Sequence, residues 1–142
     1  MRWLRWFVAG AFAVPLFHQT MLLLLNAIGW LARKPFAMTP TKPFGIPQIV
    51  SLSFWGGLWG ILLGIALARI SSRAAYWTIA LVFGAIAPTL VAMFVAAPLK
   101  GQPAGGDAKM FLIGMLVNAA WGIGTAVLYA AISPRRSVVS GS

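Results

Sequence analysis

The run "FWGGLWGILLGIALARISSR", residues 54–73, decides what kind of molecule this chain is. From Phe54 to Ala68 it holds no charged residue, and it then closes on Arg69 and Arg73. A helix of that composition has no polar face to give to water, and its basic end suits a lipid headgroup layer. Gly56, Gly60 and Gly64 recur every four residues and so share one helix face. In lipid, helices associate by close backbone approach, which small residues permit, so the stripe reads as a packing seam. Its partner is either another helix of the chain or a second subunit. Trp55 and Trp59, also four apart, form an aromatic ridge beside it.

The rest of the 142-residue chain has the same character. It is 61% hydrophobic and 8% charged, whereas a water-soluble domain carries about 25% charged residues. Eleven Lys and Arg stand against one acid, Asp107, for a net charge of +10. Nucleic-acid binding would need the bases gathered on one face or arm. Here they sit in small groups at the ends of apolar runs: Arg2 with Arg5, Arg33 with Lys34, Arg69 with Arg73, Arg135 with Arg136. That placement fits anionic lipid headgroups and excludes a nucleic-acid partner. With no cysteine, disulfide and thiol chemistry are absent.

Four stretches reach the length of about 20 apolar residues that a membrane-crossing helix needs. They lie at about 7–32, 48–68, 75–97 and 109–132, and none contains Asp or Glu. The expected fold is an all-α integral membrane protein, a four-transmembrane-helix bundle forming one membrane domain over 1–142. The first stretch follows Arg2 and Arg5, and Ala11-Phe12-Ala13 mimics a signal-peptidase site. Its apolar run continues well past Ala13, so an uncleaved helix is expected, kinked at Pro15. An even number of spans puts both termini on one side. Basic residues favour that side slightly, as the cytoplasmic one: Arg2, Arg5, Arg69, Arg73, Arg135 and Arg136 against Arg33, Lys34, Lys42, Lys100 and Lys109. Trp3, Trp6, Trp30, Trp77 and Tyr129 lie near span ends, as an aromatic belt requires.

Between the first two spans, "RKPFAMTPTKPFGIP" (33–47) carries four prolines and predicts a stiff, extended path. It reads either as a rigid connector or as a docking surface presenting Phe36, Met38, Phe44 and Ile46. Residues 98–108 are flexible in composition, and 133–142 form a tail. Spans two and four end alike. Aligning Trp55 with Trp121 matches Gly56 to Gly122, Gly60 to Ala126 and Gly64 to Ala130, while spans one and three each hold a proline, Pro15 and Pro88. A 2+2 hairpin repeat follows, of the kind frequent in transporters. Gly114, Asn118 and Gly122 make a second small-residue stripe.

The candidate site is a polar layer at mid-depth. His18 (the sole histidine) and Gln19 stand near the centre of span one, Thr89 of span three and Asn118 of span four. Unpaired polar groups in hydrocarbon are costly, so these four should face the bundle interior and find partners. They read as interhelical hydrogen bonds or as a buried binding site centred on His18. The inventory excludes much chemistry. One histidine cannot supply both axial ligands of a haem, and a protein-built metal site lacks donors, so no cofactor is expected. Haem or pigment contact by His18 is left as the one exception. A Ser or Thr nucleophile would lack a carboxylate-oriented base, and the chain is not expected to be an enzyme.

"GMLVNAAWGIG" (114–124) resembles the asparagine-bearing helix of the small dimeric fluoride channels. The likeness covers one helix, here the last rather than an early one, without the Thr-rich break. Small multidrug transporters share the four spans, but their first-helix glutamate is replaced here by His18 and Gln19. With "FHQ", "KPFGIP" and "SLSFWGG", the whole chain is similar to small bacterial four-helix inner-membrane proteins of uncharacterised function. That resemblance implies a bacterial inner membrane and transfers no activity. The leading expectation is an accessory or assembly subunit of a larger membrane complex, packing through the glycine seams against a protein partner or a second copy. A dimeric small-solute carrier or channel using His18, Gln19 and Asn118 is the first alternative. A redox or pigment-complex subunit, with His18 against haem, quinone or pigment, is the second.

Overall fold

The computed structural model describes residues 1–133, so the tail beyond Ser133, with Arg135 and Arg136, lies outside the described residues. Four helices are long and apolar enough to cross a membrane: α1 (Arg2–Ala27), α2 (Gln48–Leu67), α3 (Arg73–Leu99) and α4 (Ala108–Ile132). Between α1 and α2 lies a two-stranded antiparallel ribbon, β1 (Pro40–Thr41) and β2 (Ile46–Pro47). Side-chain oxygens cap two starts. Ser72 accepts from the Ala75 N–H, and Asp107 accepts from the Met110 N–H at 2.8 Å.

The first helix differs from its expected bounds of 7–32 by starting and stopping five residues earlier. Its end has a specific cause. Gly29 takes φ +76°, the Trp30 N–H returns to the Leu25 carbonyl, and the Gly29 N–H returns to the Asn26 carbonyl. This double return around a left-handed glycine terminates a helix whatever the hydrophobicity of Ile28–Ala32. The Asn26 amide then holds the departing chain by donating to the carbonyls of Leu31 and Arg33.

Both proline-bearing helices contain one widened turn, Val14–His18 in α1 and Ala92–Ala96 in α3. In α1 the buried series runs Trp6, Gly10, Val14 and then Gln19, Leu22, Leu25. The step from Val14 to Gln19 spans five residues, and the Gln19 N–H bonds the Val14 carbonyl. Pro15 has no N–H for the ordinary ladder, and the turn opens around it. The result is a change of face that turns Gln19 inward.

The helices pack as two hairpins. In the first, Gly10 of α1 meets Gly60 of α2 so closely that a Cβ on Gly60 would lie 3.0 Å from the Gly10 Cα. In the second, Gly84 of α3 meets Gly122 of α4, and a Cβ on Gly122 would lie 2.9 Å from the Gly84 Cα. The contacts correspond in detail. Gly10 also faces the Gly56 carbonyl as Gly84 faces that of Asn118, and Gly60 faces the Trp6 carbonyl as Gly122 faces that of Ala80. The structural repeat therefore pairs Gly60 with Gly122 and Gly56 with Asn118. The alignment on Trp55 is one helical turn out of register with these contacts.

α1 and α4 join the hairpins. Trp6 stacks on Tyr129 with ring centroids 3.7 Å apart, and Phe17 lies on Gly124. Leu22 and Leu25 pack with Ile113 and Val117. α2 and α3 touch less, through the edge-on pair Trp59 and Phe83. The interior mixes small residues at the helix contacts, with Ala9, Ala13, Ala80, Thr89, Thr125 and Ala126 buried, and larger ones such as Trp6, Leu22, Leu63, Leu67, Ile113 and Trp121. Large apolar side chains point outward, among them Phe12, Leu16, Phe54, Leu62, Ile65 and Leu81.

Candidate functional site

The polar layer divides in two. On one side, Asn118 Nδ2 donates to Thr89 Oγ1 at 2.9 Å across the α3–α4 seam. Gly114, one turn away on α4, lies against the Thr89 methyl, so the stripe Gly114–Asn118–Gly122 faces α3 throughout. Thr89 is buried, and its place beside Pro88 follows from the seam through Gly84. The Gly56–Gly60–Gly64 stripe faces α1 in the same way: Val14 covers Gly56, and the Trp6 ring covers Gly64. Both stripes pack within the chain, against the first of the two partners that the sequence leaves open.

On the other side, Gln19 turns away from that pair. It is 3% exposed, and its Oε1 accepts the Phe36 N–H at 2.7 Å. Because Oε1 is engaged there, the amide nitrogen faces His18, with Nε2 3.3 Å from Nδ1. An amide NH₂ can only donate, so Nδ1 accepts and the ring proton of a neutral imidazole belongs on Nε2. Among the described residues, no hydrogen bond joins His18 or Gln19 to Thr89 or Asn118. His18 is half-buried rather than enclosed. Iron or another metal at Nε2 would need that proton moved to Nδ1, into the face of the Gln19 amide. Among the described residues there is also no cluster of three or more His, Asp or Glu side chains that could hold a metal ion.

Gln19 instead organises the segment that the prolines predict as an extended path. The segment folds back. Phe36, held by Gln19, adopts φ +53°, a left-handed conformation uncommon for a residue with a side chain. The Ile49 and Gln48 N–H groups donate to the carbonyls of Ala37 and Thr39, and Thr41 Oγ1 donates to the Ile46 carbonyl. These bonds tie the ribbon to the start of α2 and form a cap on one end of the bundle. Its apolar side chains are presented outward: Phe44 is 82% exposed and Met38 65%, with Phe36 and Ile46 exposed as well. Of residues 98–108, expected to be flexible, the ends belong to helices, and 100–107 have no regular structure but are tied down where the Gly105 N–H donates to the Met93 carbonyl.

Two interior features escape the sequence reading. Trp121, 2% exposed, donates its indole N–H to the Gly10 carbonyl at 2.9 Å, a hydrogen bond between the two hairpins. Thr125 is fully buried and donates to the Trp121 carbonyl one turn back. Gly10 and Gly84, the seam residues of α1 and α3, also carried little signal. Ala80 and Gly84 do stand four apart, the small-residue spacing that marks close helix contacts.

No protein-family model matches the chain. No curated protein and no solved structure matches it either.

Proposed function

We propose that this chain is an integral membrane protein acting as an accessory or assembly subunit of a larger membrane complex, docking its partner on the cap rather than on the glycine seams. The membrane placement is supported by four long apolar helices, by glycine at their closest contacts, and by the many Leu, Ile and Phe side chains left exposed on their outer faces. The observation that carries the accessory role is the cap itself. A connector needs only to span two helix ends, yet this one is tied to Gln19 and α2 and displays Phe44 and Met38. Ordered apolar side chains outside the helices are what a protein interface uses. The carrier alternative receives less support, because Thr89 and Asn118 satisfy each other and Gln19 serves the cap.

The test is purification of the tagged chain from its native membrane in mild detergent, followed by native mass measurement. A stoichiometric larger partner is expected, retained when the outward Leu24 is changed to Ser and lost in Phe44→Ser/Met38→Ser with helicity unchanged. A wild-type chain that runs only as a monomer or homodimer sinks the reading.

A second reading attaches to His18. The ring is half-buried and its proton belongs on Nε2, a donor that suits a hydrogen bond to a quinone or pigment carbonyl carried by the partner. His18→Phe would then alter the absorption or potential of the purified complex while leaving its subunit composition intact.

A further inference from the structure

At the end of the bundle opposite the cap, a cleft of about 250 Å³ opens between α1, α2, α3 and α4. Arg2, Trp6, Gly64, Leu67, Tyr76 and Tyr129 line it. Its size lies below the about 300–1,000 Å³ of pockets that enclose drug-sized ligands, and it suits a compact group. We propose that this cleft binds a phosphate-bearing anion, with the Arg2 guanidinium and the hydroxyls of Tyr76 and Tyr129 as donors.

The donors are held by packing that leaves their polar ends free. Tyr129 lies flat on Trp6, with ring planes 7° apart, and Trp6 in turn lies over Gly64, which has no side chain to push it out. The Tyr76 ring is set edge-on against Trp77 at 5.3 Å. Arg2 lays its guanidinium 4.2 Å over the Trp3 ring, a stacking that leaves the N–H edge available. Among the described residues, no hydrogen bond engages either tyrosine hydroxyl. Charge points the same way. Arg5, Arg69 and Arg73 join Arg2 at this end, while the one acidic side chain, Asp107, caps α4 at the other. No acidic side chain of the chain can neutralise the cleft, so an anion from outside is the matching ligand. Guanidinium and hydroxyl donors lining one cleft suit phosphate oxygens.

A phosphate at this position comes either from an anionic phospholipid headgroup, given the membrane placement, or from free phosphate. The lipid is the expected source, because the cleft opens at the rim where headgroups lie. The accessory role is not needed for the site to bind.

The experiment uses the full chain in detergent with three probes: phosphatidylglycerol, phosphatidylcholine and inorganic phosphate. Adduct formation is followed by native mass spectrometry and tryptophan fluorescence. Phosphatidylglycerol should bind about tenfold more tightly than phosphatidylcholine, and Arg2→Gln should remove that preference. Tyr129→Phe keeps the stack on Trp6 and should weaken phosphatidylglycerol severalfold, as should Tyr76→Phe. Lys34→Gln, at the cap end, should change nothing. Saturable binding of inorganic phosphate that is lost in Arg2→Gln, without lipid preference, supports the site and assigns it to the free anion. Equal lipid binding by wild type, Arg2→Gln and both Phe variants, or an equal loss in Lys34→Gln, overturns the proposal. The Phe variants keep the test valid if Arg2→Gln disturbs the start of α1.

Discussion

The two hairpins use the same contact and support it differently. In each, a glycine on the proline-bearing helix touches a glycine on its neighbour, Gly10 on Gly60 and Gly84 on Gly122. One turn along, the first seam has Gly56 under the Val14 methyl, whereas the second has Asn118 reaching Thr89. The first seam is flanked by aromatic rings, Trp6 over Gly64 and Phe7 over Gly57. The second contains a side-chain hydrogen bond between its two helices. Close backbone approach is thus the common requirement, and what fills the next turn is free to differ. It also explains why the polar layer splits: with Gly56 in place of an asparagine, the first seam offers Gln19 no polar partner, and Gln19 takes the cap.

The strongest way to break this equivalence is to fill both contacts. Gly60→Leu and Gly122→Leu each push a side chain into a neighbouring backbone that cannot move aside, so each should cost about 3 kcal/mol. Thermal unfolding in detergent should show two similar losses. A loss confined to one hairpin would mean the seams are not equivalent. Next in size is the polar pair. Thr89→Val should cost about 0.6 kcal/mol, the usual worth of such a bond between membrane helices. Asn118→Gly, which gives the second seam the residue of the first, should bring no further loss when added to Thr89→Val. A large additional loss would show that Asn118 does more than bond Thr89. The smallest effect belongs to His18→Ala, expected within about 0.5 kcal/mol because the ring is half-buried and its hydrogen bond to Gln19 is long. A larger destabilisation would make His18 structural and remove the second functional reading.

Much of the helix count was legible because an apolar run of span length has few alternatives. Span ends were less so: Ile28–Ala32 is as apolar as a helix interior, and only the left-handed Gly29 shows where the chain turns. The repeat was visible, but its register was ambiguous. Trp-Gly occurs at 55–56, at 59–60 and at 121–122, and composition cannot choose between the first two. The Gly60–Gly10 contact chooses the second. In the candidate site, Thr89 and Asn118 do meet as polar groups at one depth should. Gln19 does not join them, because its direction depends on the widened turn at Pro15 and on a loop whose prolines suggested an extended path. Such features depend on tertiary contacts that a single helix pattern does not carry.

The Trp121–Gly10 hydrogen bond also bears on the order in which the chain is made. α1 is synthesised before α4, yet each covers much of the other's inner face. A nascent chain holding α1, α2 and α3 has one finished hairpin, a lone α3, and an exposed strip running from Trp6 to Leu25. That strip stays uncovered until α4 is made, so the core cannot close before then.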